Sequence, residues 1–424
     1  MSSSVEAFKG VRSRRHEKKS RGGCFNCKAR KIKCSEVRPG CENCERRGLC
    51  CVYPSKAQQR NNRRTAEYNY IPETKPHNDL ALACTAGKPF KARDFQYFHH
   101  FLTVAYPHLP YNSERAWTSE IPQFAHQFEP LLDAVLSLGA SHCALFSSRG
   151  EYKTDALIHR GGAIRGLREL ASKEDPSNTE LDVMLAICYA LTLQSACMTD
   201  ALEDFVTMIR GCALVTKRIL MRGYWKPSIP FQFGWEEHFD AMAELLQHEP
   251  NLEPELLREG IESLERLGQL LTDETHIKTY KALARVLVGL QRSGLDGYVE
   301  IRNIYAVWFQ VDEGTFRKFL GSENTMTQML LVYFVAILVI MLPYTKYEVP
   351  ERLAMCQVLA VTGKWFDGVY GRLPVESRGL ISWPVGVVRS FQLNHQAYGS
   401  DVNGLIQGAL ESVAGKSRKS ITMY

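Results

Sequence analysis

Several things are missing from this sequence of 424 residues. No apolar segment of seven or more residues stands behind the N-terminal charges, so no secretory signal peptide is expected and a reducing compartment follows. The longest apolar run, fourteen residues at 329–342 closed by Pro343, is short of the roughly 20 a membrane span needs. It reads as a buried core helix. Little of the chain alternates like a strand, and no solenoid-period repeat is visible. Catalytic signatures are missing too. Ser141-His142-Cys143 lies outside any G-x-S-x-G elbow, and a histidine on a helical apolar stripe reads as a hydrogen-bonded core residue. Gly363-Lys364 has Val358 where a phosphate loop needs glycine and Trp365 where it needs Ser or Thr; Gly87-Lys88 fails likewise at Leu82. Glu236, Glu237, His238, His248 and Glu249 contain no His-Glu-x-x-His spacing. No catalytic residue is assigned, and an enzyme is not expected.

What is present is unevenly distributed. Residues 11–64 hold seventeen Lys/Arg against four Glu, a net +13, which leaves residues 65–424 at −7 within an overall +6. A local excess of that size is the footprint of a polyanion partner, nucleic acid or an anionic membrane surface. Seven of the thirteen cysteines fall between 24 and 51, a clustering that points to metal and not to a disulfide framework. With 45% hydrophobic residues, most of the remaining chain can bury a core.

The expected organisation is mainly α. A basic flexible tail at 1–23 reads as an import signal, an arm on DNA phosphates or a solvated tail. A cysteine module follows at 24–54, then a linker at 55–90 whose Gln58, Asn61, Pro72, Pro76 and Gly87 break periodicity. The linker lacks apolar heptads, so no coiled coil follows the cysteines. A large all-helical domain at 91–415 and a tail at 416–424 complete the chain. Helical stripes are expected at Phe95, Phe98, Leu102 and Ala105, stopped by Pro107; at Leu131, Val135, Leu138 and Leu145 after Pro130; at Leu202, Phe205, Ile209, Cys212 and Ile219, ending near Gly223; and at Leu257, Ile261, Leu264 and Leu271 after Pro254.

The strongest signal is Cys24-x2-Cys27-x6-Cys34-x6-Cys41-x2-Cys44-x6-Cys51, two halves with one spacing. Structural zinc wants four ligands, so two separate ions would need eight thiolates where six are regularly spaced. Two sulfurs must bridge, giving one cluster of two Zn2+ that is the module's core. The doublet Cys50-Cys51 leaves two candidates for the last ligand; internal symmetry and the Cys-x-Tyr ending favour Cys51. Six thiolates and two Zn2+ carry a formal −2, which Lys28, Arg30, Lys31 and Lys33 are placed to offset. A short helix starting at Cys27 would also turn members of this run towards DNA.

The stretch Cys24-Phe25-Asn26-Cys27-Lys28-Ala29-Arg30-Lys31-Ile32-Lys33-Cys34, with Pro39-Gly40-Cys41 and Gly48-Leu49-Cys50-Cys51-Val52-Tyr53, resembles the fungal Zn2Cys6 transcription-factor family. The resemblance implies that Cys24 and Cys41 bridge the zincs. It also implies that Arg30 and Lys31 enter the major groove of double-stranded DNA to read a CGG-like triplet, while Lys28 and Lys33 hold phosphates. Arg and Lys are the side chains that pair with guanine O6 and N7.

The rest of the chain resembles, more loosely, the regulatory domain in the branch of that family that includes sterol-uptake control proteins. His99-His100-Phe101-Leu102, the stretch from Glu129 to His142, and Ile381-Ser382-Trp383-Pro384-Val385 carry the likeness. It implies a helical bundle, with the 329–342 helix central, that holds a hydrophobic effector or contacts the transcription machinery and allows homodimers. The expected function is a nuclear DNA-binding regulator acting at RNA polymerase II promoters, an activator of a dedicated gene set such as a secondary-metabolite cluster, since regulators of this architecture are often dedicated ones. Alternatives are control of sterol uptake or biosynthesis, and a helical enzyme or lipid-binding protein tethered by a zinc module.

Overall fold

A computed structural model describes residues 24, 27–28, 30, 32–38, 41–47 and 53, and residues 90–398 apart from 109–112, 148, 224–228, 230–234, 250 and 349–354. The expected tails at 1–23 and 416–424 and nearly all of the expected linker lie outside them. The chain divides into two compact units, Met1–Lys88 and Pro89–Tyr424. All regular structure among the described residues is helical.

Among the described residues of the first unit, the short helix α1 (Glu42–Glu45) stands beside a sulfur-rich centre. The second unit is a stack of helices with two main apolar cores. Its first half comprises α2 (Ala92–His100), which runs into a π-helical turn at Phe101–Ala105, a second π turn at Ala116–Glu120 leading into α3 (Ile121–Ala125), and α4 (Glu129–Leu145), α5 (Gly150–Ala171), α6 (Asn178–Ser195) and α7 (Leu202–Met221). The second half comprises α8 (Trp235–Leu246), α9 (Pro254–Gly268), α10 (Glu274–Arg292), α11 (Gly294–Gln310), α12 (Glu313–Phe319), α13 (Thr325–Ile340), α14 (Leu342–Thr345), α15 (Met355–Arg372), a 3-10 turn at Val375–Ile381 and α16 (Ser382–Tyr398).

Local chemistry places these boundaries. Ser177 accepts from the N–H of Glu180 while its own N–H donates to the Glu180 carboxylate, a reciprocal cap that starts α6. Asp273, Ser293, Asp312 and Asn324 accept from first-turn N–H groups of α10, α11, α12 and α13. Gly223 closes α7 with a φ of 63°, a left-handed conformation that glycine adopts without strain. Pro130 and Pro254 sit in the first turns of α4 and α9, where no N–H is needed.

Three of the expected stripes pack inward. Leu131, Val135 and Leu138 of α4, Leu202 and Ile219 of α7, and Leu257, Leu264 and Leu271 of α9 and its exit are buried. The first stripe needs correcting. Phe95 is 66% exposed, whereas Phe98 and Leu102 pack half-buried against the core and Ala105 is buried; Asp94 and Tyr97 of α2 are buried as well. A buried carboxylate takes an inward place on α2, which hydrophobic spacing does not signal. Asp94 Oδ1 lies 3.3 Å from His159 Nε2, and Asp133 Oδ1 lies 2.6 Å from His159 Nδ1, so one buried imidazole ties α2, α4 and α5 together.

The run at 329–342 is core, as expected for a helix apolar all round. Every residue from Thr327 to Ile340 is buried except Leu338, which is partly so. Pro343 does not close this helix. α13 ends at Ile340, and Pro343 sits in the first turn of α14. No helix among the described residues is long and apolar enough to cross a membrane.

Arg210 of α7 joins the two halves. Its guanidinium is buried, donates to the carbonyls of Trp308 at 3.1 Å and Val311 at 3.0 Å, pairs with Glu313 at 2.6 Å and stacks over the Phe316 ring at 4.5 Å. Arg210→Ala strands two carbonyls and removes this clamp, so a loss of about 3 kcal/mol in unfolding free energy is expected from urea denaturation. Arg210→Lys, lacking the planar fork, should recover less than half of it.

Candidate metal centre and nucleic-acid interface

Both halves of the cysteine module use the same backbone turn. The N–H of Lys28 bonds to the Cys24 carbonyl at 3.1 Å, and the N–H of Glu45 bonds to the Cys41 carbonyl at 3.0 Å. Each bond curls a Cys-x2-Cys step into a helical turn, which brings the two thiols of the step to one side. Cys27 and Lys28 are helical, Arg30 lies in a turn, and the N–H of Ile32 reaches back to the Cys27 carbonyl at 3.1 Å. The halves are also tied to each other. Ser35 Oγ accepts from the N–H of Glu42 at the start of α1, and the Asn43 amide donates to the Lys33 carbonyl at 2.9 Å.

These turns gather sulfur. The Sγ atoms of Cys24, Cys27, Cys34 and Cys41 all lie within 4.8 Å of one another, and all four residues are buried. Cys24 Sγ is 3.7 Å from both Cys41 Sγ and Cys44 Sγ, and Cys27 Sγ is 3.6 Å from Cys41 Sγ. These are not disulfides, which need about 2.05 Å, and none of the five cysteines is disulfide-bonded. A tetrahedral zinc with sulfurs at about 2.3 Å holds neighbouring sulfurs about 3.8 Å apart. The spacing therefore fits zinc, and the close sulfur contacts of Cys24 with Cys41 and Cys44 and of Cys27 with Cys41 run between the two halves. Cys50, Cys51 and Lys31 lie outside the described residues.

Backbone N–H groups converge on the sulfurs. The N–H groups of Cys24 and Glu36 point at Cys34 Sγ, each at 3.4 Å, and the N–H of Cys27 points at Cys24 Sγ at 3.5 Å. Burial pushes the Cys34 thiol up, but the Cys24 and Glu36 N–H groups and the Tyr53 hydroxyl outweigh it and bring the thiol down to about 7. Burial dominates at Cys24 and Cys27, whose thiols are raised. Glu36 takes a left-handed φ of 58°, which costs a non-glycine residue energy and is retained where it aims the N–H at Cys34. Tyr53 packs on the sulfur cluster and donates to the Val37 carbonyl at 2.7 Å, and Arg38 stacks over its ring at 4.8 Å. Spacing alone pointed to Tyr53 through the Cys-x-Tyr ending; Ser35, Glu36 and Asn43 carried no signal.

Around the sulfurs, Lys28 and Arg30 are half-buried and Lys33 is exposed. Arg30 Nη1 is shielded from solvent with no hydrogen-bond acceptor.

Comparison with known proteins agrees with this chemistry. The fungal Zn(2)-Cys(6) binuclear cluster domain matches residues 22–60, and the fungal specific transcription factor domain matches residues 96–246. The two matched segments are those of fungal Zn2Cys6 transcription factors. Among the chain's relatives is the Zn(2)-C6 fungal-type transcription factor afumD of Aspergillus fumigatus, 26% identical over 214 residues. The match covers 47% of this chain and 54% of that relative, so the chain spans about half the length of the curated relative it matches. No solved structure matches the chain. As in the family, the cysteine module binds zinc.

In the helical unit, the remaining sequence candidates take structural places. His142 is buried in α4 with Nδ1 2.9 Å from His100 Nε2, and Ser141 Oγ accepts from Gln194 at 3.1 Å. Lys364 pairs with Asp367.

Since metal binding and folding of a module this small are one equilibrium, Cys24→Ser should lose zinc and collapse the module. Release measured with a chromophoric chelator should show bound zinc falling below about one tenth of the wild-type content, while helical circular dichroism is kept. Zinc retained at the wild-type level by this variant would contradict the ligand role.

Proposed function

We propose that this chain is a zinc-dependent, sequence-specific DNA-binding regulator of RNA polymerase II transcription, acting in the nucleus and without enzymatic activity of its own. The observation that carries the reading is the buried four-sulfur group set inside a segment with a net +13. Cys24, Cys27, Cys34, Cys41, Cys44 and Cys51 hold two Zn2+ in one cluster, with Cys24 and Cys41 bridging. The 3.7 Å contact between those two sulfurs, across the two halves, supports this assignment.

Zinc's contribution is to replace a hydrophobic core, fixing the backbone of the basic segment. Arg30 and Lys31 then read guanine edges of CGG-like half-sites, and Lys28 and Lys33 neutralise phosphates. The division of labour is a DNA reader at 24–54, a linker at 55–90 and a regulatory body at 91–415. The body answers to a hydrophobic effector, contacts the transcription machinery and supports homodimers. We read the regulator as an activator of a dedicated gene set, on the strength of its architecture.

Arg30→Ala is expected to cost about 1–3 kcal/mol of DNA affinity and to relax preference at one base pair, as read by binding to a randomised site library. Lys33→Ala should weaken all sequences alike and flatten the dependence of log K on log salt by about one unit. An Arg30→Ala protein with an unchanged binding profile would remove the base-reading assignment. Chromatin occupancy of the full chain tests the larger claim, with peaks at the promoters of one gene group expected; an absence of promoter peaks would contradict it.

A further inference from the structure

A cavity among the described residues of the helical unit has a volume of about 920 Å3. That is the size range of sites that take a whole small molecule. It opens between α4, α6, α7 and α11, where residues from both apolar cores meet. Leu138 and Cys212 belong to the first core's packing, and Phe205 and Tyr305 to the second's.

The wall is graded. Ala105, Leu138 and His142 form a buried floor. At the other end Leu220 and Met221 are 61% and 76% exposed, and Lys217 is exposed beside them, one α7 turn from Leu220. Among the described residues that line the cavity, Lys217 carries the only fixed charge, and no carboxylate faces the space. Lys217 has no ion-pair partner among the described residues. A cationic ligand would find nothing to neutralise it, whereas an apolar body with one negative end matches both the floor and the rim.

We propose that this cavity binds an anionic amphiphile, its apolar chain inside between the two cores and its acidic head at Lys217. Because the occupant touches both halves of the unit, it stabilises one arrangement of α7 against α11 over others. The binding stands on the geometry alone; its regulatory meaning rests on the transcriptional reading above.

The test uses the full, zinc-loaded chain and cis-parinarate, a fluorescent fatty acid, beside cis-parinaryl alcohol, its neutral counterpart. Saturable binding of parinarate is expected. Lys217→Glu, a surface change that leaves the fold intact, should weaken parinarate by about tenfold or more, and the alcohol by less than about twofold. Ala213→Trp, which fills the cavity, should abolish both. No saturable parinarate binding, or equal binding by wild type and Lys217→Glu, would overturn the proposal. DNA binding is scored on the same samples by mobility shift, so the two readings fail separately: its loss overturns the transcriptional reading, while charge-selective parinarate binding still supports the cavity.

Discussion

Sulfur packed against sulfur is the contact on which the fold of the cysteine module depends, and with it the DNA binding proposed for this chain. Among the described residues of their unit, Cys24, Cys27, Cys34, Cys41 and Cys44 are the buried ones, and Tyr53 packs against them. No aliphatic core stands behind them among the described residues, and five thiols do not attract one another strongly enough to hold a chain in place. Sulfurs 3.6 to 3.7 Å apart become a stable arrangement when a divalent cation sits among them. Lys28, Arg30 and Lys33 then stand on a backbone whose shape the metal determines. Their charge, which would otherwise push the segment open, is balanced by thiolate.

The helical unit is stabilised by different means. Its helices bury long apolar faces, with α13 as the most enclosed, and its polar contacts sit at junctions: His159 between Asp94 and Asp133, Arg210 across α7, α11 and α12, and Trp383 donating to the Leu256 carbonyl at 3.0 Å. These contacts select one arrangement among several that area burial alone would permit. The graded cavity lies along the seam that Arg210 bridges, so the place where a small molecule fits is also where the two halves are held in register.

The module was legible in the sequence because its chemistry is local: a repeated spacing, a count of six and a basic run fit within a few tens of residues. The helical class of the body was legible for a similar reason, since 3.6-residue periodicity is written into each helix separately. What escaped was non-local. Phe95 looked like core and is exposed, because Asp94 is buried by a partner 65 residues away. Glu36 gave no hint of its left-handed backbone, which exists to serve Cys34. Pro343 looked like a stop and begins the next short helix. The cavity could not be read at all, since its walls come from four helices that only the fold brings together. The helix at 329–342, the apolar segment most conspicuous in the sequence, lies outside that lining and serves as core.

The central claim is that six thiolates share two metal ions in one cluster, and native mass spectrometry of the zinc-loaded full chain tests it most directly. The account predicts a species carrying two Zn2+ per chain, both lost in Cys24→Ser and in Cys41→Ser. A chain that binds its DNA site with a single Zn2+, or with none, would contradict it.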